Sequence, residues 1–422
     1  MIRFVYTLLL IFIAPFLLFG LYKKKEGKPS IGHRWREHFG ITPKLASNQK
    51  PIWIHAVSVG ESIAVTPLIK AIKQQNPNQV VVVTTTTPTG AEQIEKLGDL
   101  VEHRYMPIDF SFAIKGFLKV VRPSQLLIME TELWPNTLRT VANADIPITV
   151  LNARLSERSY KHYAKVQRLF DLLANNLSHI LCQHQDDADR FLRLGVAEDK
   201  ISITGSLKFD IDVSNSNIQE GQNLRRTLGI DRPVWIAAST HQGEDEQIIS
   251  AHQQILEKVP SALLILVPRH PERFISVTKL CQGNGLSTIS RTSQEVVTGD
   301  TEVYLGDTMG EMMALIAASD ICFMGGSLIG DKVGGHNLLE PAALGKPTLT
   351  GPSYYNFLDI TQQLTRVKAT TVVSDSTQLA EQLTHLFSNS QLRLRMGNSA
   401  LQVVKQNQGA LKKTLHAILP NS

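Results

Sequence analysis

Cysteine is scarce in this chain of 422 residues: Cys182, Cys281 and Cys322 are the only three. The number is odd, and all three lie in apolar runs without a CxxC or Cys/His spacing. A disulfide framework and a structural zinc site are therefore excluded, and a reduced, cytoplasmic main body is the natural reading. No GxxxxGK[ST] phosphate loop is present and no GxGxxG follows the first strand-like run, which argues against an ATPase and against a dehydrogenase. No HxxxH and no His/Asp cluster occurs at metal-ligand spacing. Asp210-Ile-Asp212 is a short match to DxD, but it lies beside a polar segment rather than in a nucleotide loop, so no metal and no cofactor are expected. Dense basic runs interleaved with aromatics are lacking too. The net charge of +5 thus gives no case for nucleic acid. It suits an anionic lipid surface or an anionic acceptor.

Against this background the N-terminus stands out. From Phe4 to Tyr22 nearly every residue is apolar and none is charged; Lys23, Lys24 and Lys25 follow at once. A helix of ~19 residues covers roughly 28 Å, close to the hydrocarbon thickness of a bilayer. A cleaved signal peptide would need a shorter apolar region and a small-residue cleavage site. The expectation is an uncleaved membrane anchor over residues 1–22, with everything after Lys23 on the cytoplasmic side. Pro15 leaves open a helix that lies in the interface rather than spanning.

Beyond the anchor, short apolar runs alternate with helix-like segments. The first series is Ile52–His55, Val80–Thr84, Leu126–Met129, Ile148–Leu151, Ile180–Cys182 and Ile201–Thr204. The second is Val234–Ala237, Leu263–Val267, Val303–Leu305, Ile321–Met324 and Thr348–Thr350. Runs of four or five apolar residues ending in Gly, Pro, Ser or Thr suit parallel strands buried on both faces. Their alternation with helices predicts an α/β protein with two Rossmann-like, doubly wound sheets. Residues 23–212 would form the first domain and 223–401 the second. The polar segment 213–222 would link them, and 402–422 would be a C-terminal helix.

Ligands of open parallel sheets bind beyond the carboxyl ends of the strands, and the polar clusters fall there. His55-Ala-Val-Ser58-Val-Gly60-Glu61 follows a strand and opens a helix. Gly60 allows close backbone approach, and Glu61 in the first turn is either a general base toward a hydroxyl or a complement to the helix dipole. Glu130-Thr-Glu132-Leu-Trp134 puts two acids beside an indole, where they are used, capped or paired. Arg154 and Arg158 lie four apart and suit an anionic acceptor group, unless Glu157 neutralises them. Lys208 in Thr204-Gly-Ser206-Leu-Lys208 points into a cleft or into solvent. In the second series, the run from Ser239 through His241 to Glu244 resembles a phosphate-contacting turn. Pro268-Arg269-His270-Pro271 presents a cation on a stiff turn. Met309-Gly310-Glu311, Gly325-Gly326-Ser327 and Gly334-Gly335-His336-Asn337 add glycine-rich turns whose amides can wrap a phosphate. Glu340, about a turn later, is placed to take ribose hydroxyls. Several such loops at one sheet edge point to a nucleotide-type site.

These motifs resemble, over almost the whole chain, the 3-deoxy-D-manno-oct-2-ulosonic acid (Kdo) transferases of lipopolysaccharide synthesis, glycosyltransferase family 30. The segments that carry the likeness are HAVSVGE, ETELWPN, NARLSERS, TGSLKFD, STHQGE, LVPRHPERF, GDTMGEM, GGSL and GGHNLLEP. The resemblance implies a GT-B fold with an N-terminal acceptor domain and a C-terminal donor domain. It implies CMP-Kdo as donor and a lipid A precursor, tetraacyldisaccharide 1,4'-bisphosphate, as acceptor at the inner membrane. The implied reaction is inverting, metal-independent and releases CMP. By the same likeness Glu61 is the general base, and Glu130 and Lys208 stabilise the transition state. Pro268, Arg269, Met309, Gly310, Glu311, Asn337, Leu338, Leu339 and Glu340 form the CMP-binding segments. Ser58, Gly60, Arg154, Ser239, His241 and Ser327 are further candidates for the acceptor and neighbouring loops. Asp331-Lys332-Val333 lengthens one donor loop relative to the family's form. The same scaffold also serves UDP-GlcNAc epimerases, which need no lipid, and a non-catalytic assembly factor would require these loops to be disrupted.

Overall fold

Every apolar run named above is a strand in the structure, a computed structural model that describes residues 2–22, 30–211 and 213–419. Lys23, Lys24, Lys25 and Asp212 lie outside the described residues. One unit comprises Met1–Asp210 with Asn407–Ser422. It holds β1 (Ile52–His55), β2 (Val81–Thr85), β3 (Glu102–Tyr105), β4 (Gln125–Met129), β5 (Ile148–Ala153), β6 (His179–Cys182) and β7 (Ile201–Ile203). All pairs are parallel, in the order β3-β2-β1-β4-β5-β6-β7. The other unit, Ile211–Gln406, holds β8 (Val234–Thr240), β9 (Leu263–Pro268), β10 (Thr288–Ser290), β11 (Val303–Leu305), β12 (Ile321–Met324), β13 (Thr348–Thr350) and β14 (Thr370–Val372). Its parallel order is β10-β11-β9-β8-β12-β13-β14.

The cores follow from strand periodicity. Trp53, Val82, Leu126, Ile128 and Val150 pack on one face of the first sheet. Ile52, Ile54, Val83, Leu127 and Leu151 pack on the other, as alternation of side chains along a strand requires. In the second sheet Trp235, Leu264, Leu266, Val303 and Phe323 share a cluster. Trp53 and Trp235 are fully buried, yet each indole N–H is satisfied: by Thr84 Oγ1 at 2.9 Å and by His252 Nδ1 at 3.2 Å. A buried Trp with a satisfied N–H anchors a core; truncating one costs about 3–5 kcal/mol.

The three strands without an apolar run, β3, β10 and β14, are all sheet edges. β3 is nonetheless largely buried; it tolerates Glu102-His103-Arg104-Tyr105, which hides it in the sequence, because Arg104 pairs with Glu102 at 2.7 Å and His103 Nε2 lies 2.9 Å from Thr85 Oγ1. Two boundaries differ from expectation. Residues 213–222 do not form an extended linker: Asn215–Leu228 is a helix, capped by Ser214. It is pressed so closely on a neighbouring helix that a Cβ at Gly221 would stand 2.4 Å from Ala317. Polarity outside and a sparse buried stripe of Gly221, Leu224 and Leu228 concealed it. The tail is not one helix either. It breaks after Asn407 at Gly409, whose φ is +98°, and Ala410–Ile418 belongs to the first unit. Asp210 closes that junction by accepting from the amides of Gly409, at 2.6 Å, and Leu411. Its place is structural.

In both sheets the first strand sits inside, with chain order reversing beside it: β1 between β2 and β4, β8 between β9 and β12. The crevice of such a sheet opens at the carboxyl ends of these strands. That places the loops after His55 and Met129 together in one unit. In the other it joins the loops after Thr240 and Met324.

Candidate active site

In the first unit, Ser58 N-caps the helix Val59–Gln75 by accepting from the Glu61 amide at 3.2 Å. Glu61 folds back, accepting from Ser58 Oγ at 2.8 Å and from the Val57 amide at 2.8 Å. This is a variant of the capping box, with the glutamate reaching one residue past the N-cap to the Val57 amide, so the dipole-complementing role and a chemical role occupy the same side chain. Glu61 is nonetheless buried, 7% exposed. Burial pushes its carboxyl above the ordinary carboxylate range, opposed by the two hydrogen bonds and assisted by the negative field of Glu130 and Glu132. A raised carboxylate at a switch-point crevice is suited to accept a proton from a hydroxyl. Gly60 lies in the same first turn.

Glu130 follows β4 with φ at +57°, a left-handed conformation costly for a non-glycine residue. Its Oε1 takes Lys208 Nζ at 3.1 Å, both side chains about one-third exposed. Glu132 accepts from Trp134 Nε1 at 3.2 Å, and that indole meets the buried His55 ring edge-on. Lys208 is thus paired with Glu130 while its side chain stays partly open to solvent. Asn152, fully buried with φ at +53°, pins its loop: Oδ1 accepts from the Leu207 amide at 3.1 Å. In the sequence Asn152 reads as a turn residue after an apolar run, but it lies within β5. Only its position at an irregularity of β5 gives it away. Arg154 stands two residues on, with Asp187 in its electrostatic field. Glu157 does not neutralise Arg154 and Arg158 as considered. It takes Arg190 at 3.3 Å and Arg193 at 3.4 Å.

In the second unit, β8 bulges at Ser239, whose φ is +58°. Thr240 Oγ1 donates to the buried Asp245, which also pairs with Arg273. Glu244, wholly buried, sends both oxygens into the glycine turn after β12. Oε2 accepts from Gly326 N at 2.6 Å; Oε1 accepts from Ser327 N and Leu328 N, each at 3.0 Å. A Cβ at Gly325 would stand 2.8 Å from Glu244 Oε2. The amides expected to wrap a phosphate are therefore taken by a carboxylate of the protein itself. Ser327 is also corrected from a ligand candidate to a structural residue: its buried hydroxyl donates to Met324 O and accepts from Gly351 N.

Three histidines from separate motifs converge. His241 stacks on His336 with Nε2 atoms 2.8 Å apart, and His270 meets His241 edge-on. Burial and the nearby cations hold His241 near 4 and His336 near 3, so both rings are neutral at physiological pH. One ring donates the proton of that contact and the other accepts it. Exposed Arg269 follows the buried Pro268, and its field opposes the burial that raises the Glu340 carboxyl. Glu311 is held bidentately by Arg291, at 2.6 and 2.7 Å, which lowers its carboxyl; no motif signalled Arg291. Met309 is exposed and Gly310 has φ at +86°. Asn337 Oδ1 accepts from the Leu339 amide, and Leu338 and Leu339 bury their side chains in the core. Beside the histidines an open depression of about 610 Å³ is lined by His241, Gly243, Glu246, Ile329, Lys332 and Val333.

Two Rossmann-like parallel sheets, each with polar loops at its switch point, are the architecture of the GT-B type, which transferases and epimerases share. Residues 33–211 match the family model described as 3-deoxy-D-manno-octulosonic-acid transferase, and residues 231–403 match glycosyl transferases group 1. The chain is 40% identical to a 3-deoxy-D-manno-octulosonic acid transferase of Haemophilus influenzae, over 99% of this chain and 98% of that one. It therefore belongs to the 3-deoxy-D-manno-octulosonic acid transferase family. Among solved structures, the C-terminal CMP-Kdo binding domain of WaaA from Acinetobacter baumannii is 34% identical, covering 46% of this chain and all of that one with a TM-score of 0.44. A UDP-GlcNAc 2-epimerase from Neisseria meningitidis shares the fold at 15% identity and a TM-score of 0.55, over 88% of this chain and all of that one.

Proposed function

We propose that this enzyme transfers Kdo from CMP-Kdo to the lipid A precursor, tetraacyldisaccharide 1,4'-bisphosphate, with inversion and without a metal, on the cytoplasmic side of the inner membrane. The observation that carries the proposal is Glu61: a buried carboxylate with a raised proton affinity, held by two hydrogen bonds at the switch point of the first sheet. An inverting transfer needs one base aligned with the departing group. Glu61 takes the proton of the acceptor hydroxyl as its oxygen attacks the anomeric carbon of Kdo. The bond from that carbon to the CMP phosphate oxygen breaks, and CMP leaves as a monoester. Lys208, poised by Glu130, and Glu130 itself stabilise the transition state.

In the second unit, the neutral histidines and Arg269 supply hydrogen bonds and one cation toward phosphate. Glu340 takes the ribose, and Met309-Gly310-Glu311 and Asn337-Leu338-Leu339 border the CMP. Membership of the family supports the sugar, while the donor nucleotide, acceptor and stereochemistry rest on the motifs retained here. Glu61→Ala is expected to lose on the order of 10²–10⁴-fold in transfer rate, the range for a general base, while still binding CMP. Full activity in that variant removes Glu61 from the role.

A further inference from the structure

The apolar helix Ile2–Tyr22, with a mean hydropathy of 2.5, is long enough to cross a bilayer. Its contacts point elsewhere. Ile2, Arg3, Tyr6, Thr7, Leu10, Ala14, Leu18, Leu21 and Tyr22 are the covered or half-covered positions, most of them three or four apart along one stripe. That stripe contains all the helix's polar side chains: Arg3, Tyr6, Thr7 and Tyr22. Near the start, Tyr6 donates to Asp109 at 2.8 Å, and Asn136 Nδ2 donates to Thr7 Oγ1 at 2.9 Å. Near the end, Tyr22 Oη lies 2.8 Å from His38 Nδ1. Tyr6 and Tyr22 are ~24 Å apart along a helix, so the body of the first unit touches this helix over most of its length.

Asp109 makes that contact difficult to reconcile with a span. It is buried, and it also caps the helix Pro135–Ala142 by accepting from the amides of Asn136 and Thr137. Were Tyr6 at the far side of a bilayer, Asp109 and the motif helix it caps would have to follow it into hydrocarbon. The remaining circumference is apolar and bare: Phe4, Phe12, Phe16 and Phe19 are 68–79% exposed. Trp35 and Phe112 extend this character onto the body. Trp35 lies on the turn Gly32–Phe39 that receives Tyr22, and Phe112 on the helix Ser111–Val121 packed against that turn. Trp at such a margin suits the headgroup level.

We infer that the N-terminal helix lies in the plane of one leaflet, its polar stripe latched to the catalytic body and its bare face in the acyl chains, rather than crossing the membrane. The body replaces the polar face that an interfacial helix ordinarily shows to water. Arg34, on the turn that receives Tyr22, is taken up by the body: it pairs with Glu37 at 2.8 Å and Glu95 at 2.9 Å. In the sequence Lys23, Lys24, Lys25 and Lys28 follow the helix, a run of charge that suits an anionic lipid surface.

The test uses the full chain in native membranes, where Cys182, Cys281 and Cys322 are buried and silent. A cysteine in a short polar extension before Met1 is probed with an impermeant maleimide, with Lys50→Cys on the body as reference. The expected result is labelling of both from the same membrane face. Labelling of the extension only from the opposite face overturns the proposal. A second variant, Thr7→Cys with Asn136→Cys, is expected to form an intramolecular disulfide on mild oxidation; its absence in an active enzyme also overturns it. If Phe16→Cys instead joins two chains quantitatively, a second copy covers the bare face and lipid does not.

Discussion

An exposed glutamate in a helix first turn is ionised and unremarkable. Glu61 differs because burial raises its carboxyl while Ser58 Oγ and the Val57 amide hold it down. A base must be deprotonated to act, so transfer is expected to rise with pH through the Glu61 titration. Ser58→Ala removes one hydrogen bond that favours the charged form. The acid limb of the pH–rate profile should then move to higher pH, whereas Glu61→Ala abolishes the activity that defines it. A profile unmoved by Ser58→Ala would detach that limb from Glu61. Glu130 offers a separate check. Its φ of +57° is strained for an L side chain, so Glu130→Gly should be more stable than Glu130→Ala by about 1 kcal/mol. Both should lose activity equally if the carboxylate beside Lys208 matters. Equal stability in denaturant titrations would refute the strain.

At the scale of elements, the carboxylate of Glu244 organises the turn from Gly326 to Leu328. Glu244→Gln would aim an amide N–H₂ at backbone donors and leave them unpaired, each at about 1–3 kcal/mol. Reduced thermal stability together with weakened CMP binding is expected; unchanged CMP affinity by calorimetry would separate this turn from the donor site. How much was legible follows from burial. Central strands such as Ile52–His55 and Ile321–Met324 announce themselves because both faces are covered and nearly every residue is apolar. The edge Glu102–Tyr105 is also largely buried, but it meets that constraint by pairing polar side chains rather than by being apolar, and so reads as polar chain. Site residues next to strand ends were legible as motifs, whereas partners drawn in from elsewhere were not. Arg291 stands 20 residues before Glu311, and neither spacing nor residue type links them. Likewise the GGSL glycines read as a phosphate cradle because an amide nest takes any carboxylate or phosphate equally. The sequence does not say that Glu244 fills it.

At the scale of the molecule, six histidines have depressed proton affinity through burial: His38, His55, His241 and His252 near 4, His103 and His336 near 3. The unfolded chain binds these protons first, near 6.5, so the stability is complete above that pH and is lost as pH falls toward 4. Buried Asp109, Glu244 and Asp245, whose carboxyls are raised, act in the opposite sense. His252→Gln can still accept from Trp235 and donate to Glu302 O. It should flatten unfolding free energy against pH by about 1.4 kcal/mol per pH unit between roughly 6 and 5. An unchanged slope would show that His252 is not neutral in the fold.

The central claim, Kdo transfer from CMP-Kdo onto a lipid acceptor, is tested most directly by the product's mass. Purified full-length enzyme is incubated with CMP-Kdo and tetraacyldisaccharide 1,4'-bisphosphate without added metal, and the lipid is weighed by mass spectrometry. The expected result is an acceptor heavier by one or more Kdo residues, with CMP released in equal number. An acceptor of unchanged mass, with CMP-Kdo intact or merely hydrolysed, would contradict it.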